Sequence, residues 1–215
     1  MGGEGPLTPA HSHRSTWAVV PVKRFEAAKS RLAGAVAPEE RRNLARAMFE
    51  HVARVLSSTP RVGGLLVVTD SAEAARMSTE LGAAVLLDRT AGPLACHVDD
   101  ALVELARRRV ERALVLMSDL PELGQKDVEA LLFALNESGC VVARDSSGRH
   151  TNALGLRLAD RFATHFGRPE SFRLHVEAAR RCGLSVRQLT TPGLAFDVDT
   201  PDDYALLVGR RLRAG

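Results

Sequence analysis

Aromatic residues are scarce in this sequence: Phe, Trp and Tyr make up 4% of its 215 residues. Proteins that bind single-stranded nucleic acid stack bases on aromatic side chains, so the scarcity argues against that class. The net charge is only +3 and no long run of Lys and Arg is present, which also argues against nucleic acid. No apolar run approaches the roughly 18 residues that a membrane-spanning helix needs. We therefore expect neither a nucleic-acid partner nor a membrane partner.

Cysteine is also rare, and the three cysteines, Cys96, Cys140 and Cys182, lie far apart without a CxxC pair. An odd number of separated cysteines favours reduced thiols, and we expect a cytoplasmic protein. The sequence lacks the GxSxG, HExxH, GxGxxG and GxxxxGK[ST] signatures. Serine-hydrolase, zinc-protease, Rossmann dinucleotide and P-loop sites of the usual form are therefore not predicted.

What the sequence does contain is a regular alternation of strand and helix patterns as far as residue 139, which predicts parallel βαβ units. Beyond that point the alternation breaks, and we expect a mixed sheet with one or two antiparallel strands. A single α/β domain over residues 17–215 is predicted, preceded by a disordered tail over 1–16 that is rich in Gly, Pro, Ser and His. The predicted strands are 17–22, 64–69, 84–87, 113–117, 140–143, 152–156, 184–189 and 194–198.

The stretch WAVVPVKRFEAAKSRL, residues 17–32, joins the first buried strand to a cationic loop. Lys23 and Arg24 follow the strand at once, and Lys29 and Arg31 come one to two helical turns later. Ligands of open α/β sheets bind outside the carboxyl ends of the strands, so these cations favour an anion site. We predict that Lys23 and Lys29 hold a triphosphate. The alternative is a solvated basic turn.

An acidic residue, Asp119, follows the fourth predicted strand at the same edge of the sheet. It is either a turn or helix cap or a ligand for a hard cation, and Mg²⁺ prefers one or two carboxylates together with substrate phosphates. The next convincing helix begins several residues later, which weakens the cap interpretation. We predict a metal ligand.

A second acidic pair, Asp197 and Asp199, occurs in the segment FDVDTP. In a strand, residues two apart share a face, so both carboxylates would lie side by side. Two neighbouring carboxylates repel each other unless a cation lies between them. The alternative, that Asp199 only helps to cap the last helix, leaves Asp197 unexplained.

Together these groups predict nucleotidyl transfer, in which an acceptor oxygen attacks the α-phosphorus of a nucleoside triphosphate and pyrophosphate leaves. A phosphate acceptor is largely dianionic at neutral pH and would need no general base. The acceptor site would come from the second half of the chain. Candidates are Thr151, Gly167 and Ser171, with Arg168 or Arg173 beside them; the alternative for Ser171 is a helix cap.

The segments PVKRFEAAKSRL, VVTD, SDLP, TNAL, the FG…S…H run and FDVDTP occur in the order seen in one family. Over residues 17–207 the chain resembles the 2-phospho-L-lactate or phosphoenolpyruvate guanylyltransferases, which act in making the deazaflavin coenzyme F(420). The resemblance implies a nucleotide-diphospho-sugar-transferase-like, Rossmann-like α/β fold. It also implies that GTP, Mg²⁺ and a small phosphorylated three-carbon acid take part.

By match to the family, each candidate residue has an implied role. The implied catalytic residues are Lys23, Lys29 and Asp119, and the implied nucleotide-binding residues are Lys23, Arg24 and Lys29. The implied metal ligands are Asp119, Asp197 and Asp199. The acceptor would be bound by Thr151, Gly167 and Ser171.

Two other functions stay open. Ala95 stands where the family usually carries Asn, which keeps a related nucleotidyltransferase acting on a sugar phosphate or a pterin cofactor in consideration. The other is a nucleotide-binding paralogue that has lost catalysis. Three metal-facing carboxylates argue against it, because a binder has less need of them.

Overall fold

The computed structural model describes residues 16–88 and 92–214. Nearly all of the predicted tail lies outside these residues, and Thr16, which we assigned to it, is instead the first residue of the sheet. The strands are β1 (Thr16–Val22), β2 (Val62–Thr69), β3 (Ala84–Leu87), β4 (Arg112–Leu116), β5 (Cys140–Arg144), β6 (Thr151–Arg157) and β7 (Val186–Leu189). The α-helices are α1 (Pro38–Ser58), α2 (Ala72–Glu80), α3 (Leu94–Arg107), α4 (Gln125–Glu137), α5 (Ser171–Arg181), α6 (Pro192–Ala195) and α7 (Pro201–Ala214).

The strands form one mixed sheet in the order β3-β2-β1-β4-β6-β5-β7. Strands β1 to β4 run parallel, β6 runs antiparallel to both β4 and β5, and β7 is parallel to β5. This confirms the mixed α/β sheet predicted from the sequence. The chain moves to one side of β1 for β2 and to the other side for β4, so the carboxyl ends of β1 and β4 flank a topological switch point.

Helices cover both faces of the sheet. Alternate residues of β1 belong to different cores: Ala18 and Val20 pack in the cluster that includes α1, α2 and α4, while Val19 packs in the cluster that includes α3 and α5. All five residues of β4 are buried. Burial on both faces explains why the central strands are continuous apolar runs rather than alternating ones. No helix within the described ranges is both long and apolar enough to cross a membrane.

The predicted strand over 194–198 is wrong. Residues Pro192–Ala195 form the short helix α6, which Thr191 caps by accepting a hydrogen bond from the Leu194 amide at 3.3 Å. Thr-Pro at a helix start is favourable, because proline fixes the first helical φ and the threonine hydroxyl caps an amide. Residues 196–199 then continue as irregular chain outside the sheet. The argument that sheet pairing places Asp197 and Asp199 on one face therefore loses its basis.

The last helix begins as the sequence predicts. Asp203 Oδ2 accepts the Thr200 amide at 2.7 Å, and the Asp203 amide donates to Thr200 Oγ1 at 3.3 Å. This capping box satisfies the Asp203 amide of α7, and Asp203 Oδ2 also accepts the Asp199 backbone amide at 3.1 Å. The interpretation that Asp199 only helps to cap the helix is wrong, because only its backbone amide takes part in the cap, while its carboxylate accepts hydrogen bonds from Lys29 and Arg31.

Candidate active site

A cavity of about 440 Å³ lies at the carboxyl edge of β1 and β4. It is lined by the β1–α1 loop, the residues after β4, the start of β6, the turn before α5 and the segment before α7. Strand β6 reaches this edge with its first residues because it runs antiparallel to β4, with Leu116 opposite Ala153. The predicted residues in its lining are Lys23, Lys29, Asp119, Thr151, Gly167, Arg168, Ser171, Asp197 and Asp199.

A larger hollow, of about 530 Å³, lies at the opposite end of β4 beside Glu111 and Arg112. None of the candidate residues lines it. Because ligands of parallel α/β sheets bind at the carboxyl edge, we assign the site to the smaller cavity.

Three carboxylates meet in the cavity. Asp119, Asp197 and Asp199 each offer one oxygen, and these atoms lie within 4.8 Å of one another. Asp119 does not cap the following helix, since the N-cap of α4 is Gly124. The structure thus brings together the three residues for which a metal-binding role was predicted. Hard oxygen donors at this spacing fit a divalent cation such as Mg²⁺.

Lys29 supplies the buried positive charge at this cluster. Its Nζ donates to Asp119 Oδ2 at 2.5 Å and to Asp199 Oδ1 at 3.1 Å, and only 7% of its side chain is exposed. Burial by itself would lower the pKa of Lys29, but the two carboxylates raise it above its ordinary value. Lys29 has a left-handed backbone, with φ of 56°, before the 3₁₀ turn Ser30–Leu32. The prediction placed Lys29 on phosphates; the structure pairs its ammonium with the acidic cluster.

The other cations of the loop have different environments. Lys23 is exposed and lines the cavity. Arg31 lies at the rim of the cavity and donates a hydrogen bond to Asp199 Oδ2 at 3.2 Å. Arg24 lies outside the lining, where its Nε donates to Asp70 Oδ2 at 2.9 Å. Phe25 turns into the core directly after Arg24, so the arginine points toward β2, and nothing in the geometry supports its predicted contact with the nucleotide.

Asn152 is a site residue that the sequence argument missed. Its Nδ2 donates to Asp197 Oδ1 at 3.2 Å and to the Leu194 carbonyl at 3.0 Å. Burial, and after it the charge of Asp119, raise the pKa of Asp197 to about 6, while the Asn152 hydrogen bond opposes that rise. Asn152 therefore orients this carboxylate and favours its charged form. The signal for it was the TNAL segment, of which only Thr151 was assigned a role.

The predicted acceptor residues lie together on the other side of the cavity. The Thr151 amide donates to Ser171 Oγ at 3.0 Å, and both residues are buried. Gly167 has φ of +78°, and a Cβ there would lie 3.2 Å from Leu94 Cβ, so glycine is needed in this turn. Ser171 is not the helix cap that the alternative proposed, since Glu170 occupies that position and Ser171 bonds to β6.

Of the two arginines considered for the acceptor, only one lies at the cavity. Arg168 lines the cavity, whereas Arg173 ion-pairs with Glu177 at 2.5 Å on the exposed face of α5. A second missed residue, His175, lies behind the acceptor side, fully buried, with Nδ1 2.8 Å from Thr151 Oγ1. The cavity therefore has an acidic wall beside Lys29 and a wall of neutral hydroxyl groups beside Arg168.

Comparison with known proteins adds the family. The model of the family described as "Guanylyl transferase CofC like" matches residues 16–209. Phosphoenolpyruvate guanylyltransferase from Sphaerobacter thermophilus is 38% identical over 198 residues, covering 91% of this chain and 93% of that protein. The 2-phospho-L-lactate guanylyltransferase from Methanothermobacter thermautotrophicus is 31% identical over 193 residues, covering 90% and 84%.

Among solved structures, a Desulfovibrio desulfuricans G20 protein assigned provisionally to the nucleotide-diphospho-sugar transferases superposes with a TM-score of 0.76. The two sequences are 19% identical, and the match covers 89% of this chain and 85% of that one. This likeness confirms the fold that the resemblance implied.

Proposed function

The chain belongs to the CofC-like guanylyl transferase family, and from this membership we propose that it transfers GMP from GTP to a small phosphorylated carboxylic acid. The observation that carries the proposal is the cluster of three aspartates at the switch-point cavity, two of which, Asp119 and Asp199, accept hydrogen bonds from Lys29. A site that stabilises a triphosphate during α-phosphoryl attack needs both cations and metal-binding carboxylates. Lys29 and three carboxylates that could hold a metal lie together on one wall.

The acceptor that we propose first is phosphoenolpyruvate, since the more similar relatives carry that name, with 2-phospho-L-lactate as the second candidate. An acceptor phosphate oxygen would form a bond to the α-phosphorus. The bond from the α-phosphorus to the bridging oxygen would break, and pyrophosphate would leave with the electron pair. The dianionic phosphate attacks without a general base. From the resemblance we infer that the product is used in coenzyme F(420) synthesis.

We propose that Asp119, Asp197 and Asp199 hold Mg²⁺, which would offset negative charge on the phosphates around the α-phosphorus. The three carboxylate oxygens fit this ion by number and hardness. Lys23 and Lys29 would then bind the nucleotide phosphates. Lys29 would exchange its carboxylate partners for phosphate oxygens as the ion takes its place.

The test is a panel of four nucleoside triphosphates, each with phosphoenolpyruvate, 2-phospho-L-lactate, a sugar phosphate or a phosphorylated pterin, reading pyrophosphate release with Mg²⁺ present. Release with GTP and one phosphorylated acid is expected. Release only with another pair would indicate the related nucleotidyltransferase that Ala95 keeps in consideration. Nucleotide binding without release from any pair would contradict the transferase function.

A matched pair of variants tests the metal site. Asp119→Asn should remove nearly all pyrophosphate release, because it replaces a carboxylate of the cluster with a neutral amide of the same size. Asp160→Asn makes the same change at an exposed position outside the cavity and should keep the wild-type rate. A wild-type rate from Asp119→Asn would remove Asp119 from the proposed metal site.

A further inference from the structure

His175 connects two elements on the acceptor side of the cavity. It lies on α5 with no exposed surface. Its Nε2 accepts a hydrogen bond from the His165 backbone amide at 2.7 Å, and its Nδ1 lies 2.8 Å from Thr151 Oγ1. One imidazole thus bonds both to the turn that contains Gly167 and to the first residue of β6.

The contacts determine which ring nitrogen carries the proton. A backbone amide can only donate, so Nε2 must present its lone pair to His165. In a neutral imidazole the proton is then on Nδ1. Burial lowers the pKa of His175 to about 3, so the ring is neutral at physiological pH.

This tautomer determines the direction of the hydrogen bond between the ring and the Thr151 hydroxyl. Because Nδ1–H donates to Thr151 Oγ1, the Thr151 hydroxyl cannot donate to the ring, and its own proton is available for another acceptor. Ser171 Oγ accepts a hydrogen bond from the Thr151 amide, so the Ser171 hydroxyl proton is likewise available for another acceptor. Both residues line the cavity. Two residues whose hydroxyl protons are available therefore belong to the lining of the cavity in which an anionic acceptor would bind.

We propose that His175 is a positioning residue for the acceptor: its Nδ1–H leaves the Thr151 hydroxyl to donate to the acceptor anion, and its bond to the His165 amide holds the turn that contains Gly167. This inference rests on the proposed function for the nature of the acceptor. His175 is screened by Thr151 and does not touch the reacting atoms.

Two substitutions separate the two bonds of the ring. In His175→Asn the side-chain amide nitrogen can replace Nδ1–H as the donor to Thr151, whereas in His175→Gln the amide oxygen can replace Nε2 as the acceptor for His165. Losing one hydrogen bond typically weakens binding roughly five- to tenfold. We expect His175→Gln to raise KM for the acceptor by about that factor. His175→Asn should raise it much less, and neither should change KM for GTP.

Thr151→Val completes the test because it removes the hydroxyl and keeps the shape. Its effect on the acceptor KM should match that of His175→Gln, and the double variant should be no worse than either single one, since residues acting through one contact are not additive. Equal acceptor KM values for the Asn and Gln variants, or a parallel rise in KM for GTP, would overturn the proposal and leave a purely structural histidine.

A measurement on the wild-type protein does not depend on catalysis or on the folding of any variant. Two-dimensional ¹H–¹⁵N NMR of the imidazole nitrogens should show His175 neutral at pH 7 and protonated on Nδ1. A ring protonated on Nε2 would overturn the inference. Absence of turnover with every acceptor, while the tautomer is as expected, would instead refute the proposed function.

Discussion

Lys29→Met removes the cation from the acidic cluster and leaves three carboxylates without it. Removing one partner of a buried ion pair typically costs about 3–5 kcal/mol. Lys29 is only 7% exposed, but the Asp199 side chain is 43% exposed and therefore partly screened by water. We therefore expect a loss of about 3 kcal/mol in the free energy of unfolding, at the lower end of this range. For a domain of this size that corresponds to a fall in Tm of roughly 6–12 °C.

The assay is thermal and urea unfolding at pH 7.5, with EDTA and then with MgCl₂ or MnCl₂. The carboxylates raise the pKa of Lys29 above 10.5, so its stabilising effect is fully present below pH 10.5 and is lost only as the pH rises through the folded-state value. At pH 7.5 the whole effect is therefore measured. A divalent ion at about 100 times its Kd should restore about 2.7 kcal/mol to the variant.

The wild-type protein should gain less from the metal, because Lys29 competes with it for the same oxygens. Lys23→Met is the matched control: Lys23 lines the same cavity but is exposed, so its loss should change neither Tm nor the response to metal. If Lys29→Met is destabilised and metal restores no more stability to it than to wild type, the three carboxylates do not form a cation site.

Three further outcomes are expected. Asp197→Asn should raise the free energy of unfolding by at most about 3 kcal/mol, measured by urea titration at pH 7 in EDTA. The reason is that burial raises the pKa of Asp197 to about 6, so its charge is costly, and the asparagine oxygen can still accept a hydrogen bond from Asn152. The same variant should lose pyrophosphate release. The pKa of His175 is about 3 when folded, so the unfolded chain binds the extra proton below pH 6.5, and stability falls toward pH 3 by up to about 1.4 kcal/mol per pH unit; urea titrations across this range should show a smaller slope for His175→Asn. Asp203→Ala should cost about 1 kcal/mol in thermal unfolding through the lost cap, with an unchanged rate of pyrophosphate release.

The features predicted correctly from the sequence are those set by local chemistry. Strands β1, β2 and β4 are buried on both faces, so their apolar runs are long and end sharply where polar residues begin. The alternation of these runs with helices predicts parallel strands with a common carboxyl edge. That edge is where Lys23 and Asp119 follow their strands, which is why two distant segments could be assigned to one site.

The features that were missed depend on contacts between distant residues. The partners of Lys29 lie 90 and 170 residues away, and its left-handed backbone is uncommon for lysine. The roles of Asn152 and His175 follow from bonds to Leu194 and His165, which no spacing rule connects. Arg24 was assigned by its position beside Lys23, although its direction is set by the packing of the next side chain.

The positions of Asp197 and Asp199 have a physical cause that the strand prediction did not identify. In an extended segment successive side chains point to opposite sides whether or not the backbone pairs with a sheet. Phe196 and Val198 are 7% and 0% exposed, because they pack in a small core with residues of α1 and of the loop that carries Lys29. Their burial directs the carboxylates of Asp197, which lies between them, and of Asp199, which follows Val198, to the cavity. The apolar members of this core are Leu32, Val36, Leu44, Met48, Phe196, Val198 and Leu207.

This small core therefore joins both halves of the charged cluster. Leu32 follows Lys29 by three residues and is fully buried in the same core as Val198, which precedes Asp199. Apolar packing thus fixes the distance between the ammonium and the carboxylate, and the ion pair does not have to supply the energy that brings the segments together. A cation held in place by its neighbours' packing can change partners, from carboxylate to phosphate, without the loop coming apart. That property would suit the exchange of partners that we propose for Lys29.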